Sequence, residues 1–298
     1  MQDLLPTTNR IAVLAGQTPA SAATCLAALI CAIWLIRSWK PLKETTLMAP
    51  LVWAMIAWLV ICFTELLVHS VPMSPETVDV ARYIAALSTF CPAMALLGAK
   101  RPQDRGWQFI VLSLWVILAM PAVQPMLFAR TSRFELHFAW SGFLIVLVAV
   151  SVVNYLPTRF SLPALMCGAA QVLLLQFQLP LFRSTESSDA IMLAMVLYAG
   201  ALMWVSTRYV DDQESTDAGW NRVWIDFRDR FGTVWALRVM ERFNQAASSD
   251  EPRLAWEGIK PIGESKNDEM PLSDSQIVTL RMLLRRFVND AWIEERLP

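Results

Sequence analysis

The sequence predicts an all-α fold: a multi-pass transmembrane helical bundle of about seven spans, followed by a small C-terminal cytoplasmic helical domain. Three observations predict it. Of 298 residues 55% are apolar and only 17% charged, where a soluble domain carries about a quarter charged residues. The charge is also uneven, with 12 Lys/Arg and 9 Asp/Glu before residue 208 and 13 and 17 after it. Finally, thirteen Trp suit a chain that meets lipid headgroups, where indole rings concentrate.

The domain organisation follows as a short outer N-terminal segment (1–18), the bundle (19–207) and a tail (208–298). The leader "MQDLLPTTNR" lacks the basic start of a secretory signal and no small-residue cleavage site follows, so it reads as retained. About 20 apolar residues cross the hydrocarbon as a helix, the form that satisfies its own backbone there. Runs at 19–36, 48–68, 82–99, 106–127, 136–156, 160–180 and 189–207 meet or nearly meet that length. Pro121 and Pro125 predict a kink or early stop in the fourth run, and Pro92 and Pro163 bends in the third and sixth.

Lys and Arg collect in cytoplasmic loops. The 1–2 loop holds Arg37, Lys40 and Lys43, the 2–3 loop has no cation, and the 3–4 loop holds Lys100, Arg101 and Arg105. This predicts an inner (plasma) membrane protein with its N-terminus outside and its C-terminus cytoplasmic.

In the tail, amphipathic helices are expected at about 217–247 and 275–295, with Ser273 or Asp274 as N-cap of the second and a linker between them rich in Pro and Gly. Trp220, Trp224, Phe227, Phe231 and Trp235 fall near one face of the first, since residues three and four apart are neighbours. That face is expected to pack on the second helix as a small cytosolic helical hairpin, the alternative being that it lies in the membrane interface. It is also expected to dock a protein partner or a second copy of the chain that stabilises so thin a core.

The ionisable residues next to the spans are few. Glu65 and His69, four apart, close the second span on the outer side, and His137 opens the fifth on the same side. Imidazole with carboxylate suits a transition metal, and two histidines suit haem, so Glu65, His69 and His137 form an alternative metal or haem site. The simpler expectation pairs Glu65 with Arg82, which lies at matching depth across the 2–3 hairpin. Apart from that alternative, no cofactor is expected.

Several classes lack their residues. Span seven has no Lys for a retinal Schiff base, the spans contain neither HExxH nor GxS, and the tail has no Walker loop. Net charge of −1 offers no basic face for nucleic acid. The five cysteines (Cys25, Cys31, Cys62, Cys91, Cys167) all lie in apolar runs without CxxC spacing and read as packing residues. Gln171, Gln176, Gln178 and Asn154 are polar residues of spans five and six, and they motivate a second alternative, a small-solute transporter. The leading expectation is a structural, accessory or signalling membrane protein that is not an enzyme.

Overall fold

A computed structural model describes residues 19–128, 136–176, 178–179, 187–211, 219–248, 250–260 and 272–297. The expectation for the N-terminal segment 1–18 lies outside them. The bundle is built from α1 (Pro19–Arg37), the short α2 (Trp39–Leu42), α3 (Met48–Ser70), α4 (Pro75–Ser88), α5 (Cys91–Leu97), α6 (Asp104–Phe128), α7 (Phe138–Val153), α8 (Ser161–Leu175) and α9 (Ser187–Asp211). Four helical segments among the described residues are long and apolar enough to cross a membrane: Met48–Ser70, Pro75–Leu97, Arg105–Val123 and Asp189–Ser206. Phe138–Val153 and Ser161–Leu175 are shorter apolar helices. Leu29, Leu59, Phe109 and Val146 stand exposed on their helices, as side chains do when lipid is the solvent.

The segment α4–α5 is the central post, packed against α3, α6 and α8, while α9 packs between α1 and α8. Its small residues Ala85 and Ala86 are buried beside Tyr83 and Leu87, so neighbouring backbones approach closely. Tyr83 donates to the Leu118 carbonyl at 2.9 Å and accepts from the Trp140 indole at 3.0 Å, joining the post to α6 and α7.

The prolines act differently from one another. The post breaks at Thr89–Phe90, and Pro92 occupies the first turn of α5, where its missing N–H costs nothing. Pro163 likewise falls in the first turn of α8. The expected early stop at Pro121 and Pro125 does not occur, because α6 continues to Phe128.

The C-terminal region comprises α10 (Trp220–Ala246), a hairpin of β1 (Arg253–Ala255) and β2 (Gly258–Lys260), α11 (Asp274–Leu284) and α12 (Asp290–Glu294). Two expectations are corrected here. The stretch between the helices contains the antiparallel hairpin, pinned to α10 by Asn244, which exchanges two 2.8 Å hydrogen bonds with the Leu254 backbone. The second tail helix is two helices. Ser273 caps α11 in a reciprocal capping box with Gln276, and Asn289, in an extended conformation, starts α12 by accepting from the Trp292 N–H.

Candidate functional site

The expected outer cluster does not assemble as a ligand set. Arg82 grips Glu65 in a fork, Nε to Oε1 and Nη2 to Oε2, both at 2.9 Å. Both ends of that pair are largely buried and form one wall of an apolar notch with Ile61, Ala85, Ala86, Leu174 and Ile191. A bidentate guanidinium engages both carboxylate oxygens. His69 turns back on its own helix, Nδ1 donating to the Glu65 carbonyl at 2.7 Å. His137 is the N-cap of α7, its Nδ1 accepting from the Ala139 N–H at 3.3 Å. Among the described residues no three His, Cys, Asp or Glu gather as a group able to hold a metal ion. Glu65, His69 and His137 each make local contacts instead.

The polar residues of the spans act as ties. Gln171 donates to the Thr89 carbonyl (3.1 Å), at the break in the post, and Gln178 to the Asp79 carbonyl (3.2 Å). Amides hydrogen-bonded across helices are a general device of bundles in lipid.

The conspicuous chemistry lies at the other end, where the C-terminal region sits on the bundle as a cap. Trp224, Phe227 and Phe231 are completely buried and Trp235 nearly so. Phe287 meets Phe227, Phe231 and Trp235 edge-on at 5.2, 5.3 and 5.0 Å. Leu280, Leu284, Val288, Trp292 and Ile293 complete this core from within the cap, while Leu47 and Ala99 enter it from bundle loops and Leu96 from the end of α5. The proposed docking face of Trp224, Phe227, Phe231 and Trp235 is therefore covered by the chain itself, and Trp220 packs at its margin. The second tail region thus packs on the first, as the hairpin expectation had it, and residues of the bundle join the same core.

Three loops hold the cap. From the loop ahead of α3, the Thr46 N–H donates to the Phe287 carbonyl (2.8 Å), the Asn289 N–H donates to the Glu44 carbonyl (3.0 Å), and Thr45 bridges Val288. From the loop ahead of α6, the Arg101 N–H donates to the Arg286 carbonyl (2.8 Å), while the Trp235 indole donates to the Leu96 carbonyl (2.9 Å). The break between α11 and α12 exposes the backbone groups that make these bonds.

The third loop, between α7 and α8, is the most elaborate. Inside α10, Gly232 has φ +75°, and a side chain there would run into Asn154. This break gives the second half of α10 a fresh N-terminus with orphan N–H groups. Asn154 satisfies them: its carbonyl accepts from Thr233 N–H and Oγ1 (2.8 and 2.9 Å), and its side chain accepts from Val234 N–H (3.0 Å). Beside it, Arg159 spans Asp226 (2.9 Å) and Asp229 (3.2 Å), Arg296 holds Asp226 (2.8 Å), and Arg228 holds Asp229 (2.7 Å).

Burial alone raises a carboxylate, but the charges of Arg230, Arg159 and Arg296 outweigh it at Asp226 and hold that group below its usual range. At Asp229 burial prevails and pushes the carboxyl up, against the pull of Arg228 and Arg159. This arrangement is a charged latch between loop and cap, with no nucleophile–base pair in it.

The sequence presents Asn154 as a polar residue of a span, and nothing in it marks Asn154 or Arg159 as a cap contact. The available signal was Gly232 within an otherwise helical pattern, since an isolated helical Gly often has a packing reason. No protein-family model, curated protein or solved structure matches the chain.

Proposed function

We propose that this chain is a seven-span inner-membrane protein, N-terminus outside, that serves as an accessory or signalling component and whose C-terminal domain works as a cytoplasmic cap. The observation that carries the reading is the attachment of the cap to three separate loops, through Thr46, Arg101 and Asn154. A domain bonded to loops between different spans responds when those spans move relative to one another, and it can pass that movement to a protein partner. Seven spans are favoured because the first two of these loops flank the Glu65–Arg82 hairpin along the chain, as up-and-down threading requires. The basic residues of the first two loops favour the cytoplasmic side.

The test is co-purification of the full chain from mildly crosslinked membranes. A protein recovered in near-stoichiometric amount supports the reading. Recovery of the chain alone, at native expression, removes it.

A further inference from the structure

Where the cap meets the loops ahead of α3 and α6, cations gather that are distant in sequence. The backbone bonds from Thr46 to Phe287, from Asn289 to Glu44 and from Arg101 to Arg286 bring Lys43, Lys100, Arg101 and Arg286 within a few residues of one another. Arg37 and Lys40 flank them on one side and Arg105 on the other. All except the half-buried Lys100 are exposed. Among the described residues none of these seven forms an ion pair with a carboxylate. Arg285 is paired with Asp290 at 2.7 Å, and Glu44 and Asp104 are carboxylates of the same loops.

The rim borders an apolar surface. Arg37 closes α1, just after exposed Ile33 and Ile36, and Arg105 precedes exposed Phe109 and Ile110. Trp39 stands exposed between Arg37 and Lys40, the place an indole takes at a headgroup layer. On the side of the 7–8 loop the cation has been spent: Arg159 is engaged by Asp226 and Asp229.

We propose that this rim binds the phosphate headgroups of anionic phospholipids in the leaflet facing the cap. The inference rests on the reading that this end of the bundle faces the inner leaflet. Lipid is the occupant because the unpaired cations lie at the border of an exposed apolar girdle, where acyl chains and phosphate are met together. Clustered Lys and Arg just beyond spanning helices attract anionic lipid.

The experiment is native mass spectrometry of the full chain from mixed micelles containing phosphatidylglycerol or phosphatidylcholine. The parent is compared with Lys43→Gln/Lys100→Gln/Arg101→Gln/Arg286→Gln, and with Arg242→Gln/Arg253→Gln as exposed cap cations outside the rim. The proposal expects retained phosphatidylglycerol in the parent and in the control, and roughly tenfold or greater loss in the quadruple variant. A charge-preserving set, Lys43→Arg/Lys100→Arg/Arg101→Lys/Arg286→Lys, keeps the lipid if charge is the cause and separates charge loss from misfolding. Equal retention by parent and quadruple variant overturns the proposal. So does displacement of the lipid by millimolar inorganic phosphate, which identifies a free-anion site instead. Impermeant thiol labelling of Lys43→Cys and Ser70→Cys in sealed vesicles tests the underlying reading separately. Labelling from the same side retires the threading itself, whereas opposite sides with no lipid difference retire only the lipid.

Discussion

The two ends of the bundle are held together by different physics. At the far end, among the described residues, the hairpin between α3 and α4 closes on one forked ion pair, Glu65–Arg82, and the Gln178 tie. At the capped end a second hydrophobic core, centred on Phe287, takes in residues of two bundle loops, and a five-member charged latch fastens a third. The far-end hairpin thus holds a strong forked polar contact among the described residues, whereas the capped end distributes its hold over apolar burial, backbone bonds and charge. Changes at the capped end should therefore detach a domain, and changes at the far end should loosen one hairpin.

The largest expected effect is at Phe227. Its ring is fully buried, and Phe→Ala truncation in a core costs about 3–5 kcal/mol. Phe227→Ala should make the cap protease-sensitive while far-UV helicity of the bundle survives. Simultaneous melting of the spans would show that cap and bundle form one cooperative unit, and would break the comparison.

Asp226→Ala comes next, because it leaves Arg159 and Arg296 facing each other without their shared counter-ion. Removing one partner of a buried pair costs about 3 kcal/mol, read as earlier loss of the cap on urea titration. The same group sets the acid response. The carboxyl of Asp226 lies below its usual range, so its contribution is present above the ordinary aspartate range and is lost as pH falls through its own lower value. Asp229, pushed up, has the opposite sign: the folded state takes its proton first, so mild acid favours the cap. Near-ultraviolet circular dichroism should hold from neutral pH to about 5 and fall only below about 4. Loss of signal between pH 7 and 5 would mean that the latch depends on an ionised Asp229.

Glu65→Gln sharpens the other side of the comparison. It breaks the charged fork to Arg82, and hydrogen bonds to charged groups contribute about 1.5–3 kcal/mol. The expected result is a lower melting temperature in detergent with the cap's protease resistance unchanged. The smallest effect is that of His69→Ala, an exposed ring bonded to its own helix, which should stay within about 0.5 kcal/mol of the parent. A large loss there would return attention to the far end as a site.

The helices of the bundle were legible because their signal is local: apolar runs near the length of a span, read against α3, α6 and α9. The aromatic face of α10 was legible as a face needing burial. Its cover was legible in part, as the second tail helix, whereas the share taken by Leu47, Leu96 and Ala99 was not, since periodicity ranks positions on one helix and contains nothing about a distant element. The break between α11 and α12 was hidden for a related reason. Phe287, Val288, Ala291 and Trp292 keep helical spacing across it, although Val288 pairs with Thr45 and Asn289 restarts the helix. Prolines misled in the reverse direction: Pro121 looked like a stop, yet α6 runs through it.

By itself, then, the sequence determined most of the helical stretches, four of them long and apolar enough to cross a membrane, and where charge resumes beyond residue 207, but not the β-hairpin or the break between α11 and α12. Composition and periodicity act over a few turns, and those properties are decided over the same distance. Only the tertiary structure decided the pairings of Asn154 with the α10 break, of Arg159 with Asp226, and of the Lys43, Arg101 and Arg286 segments with one another. Each joins residues tens to hundreds of positions apart, and such contacts follow from how the helices stack, which no local pattern encodes.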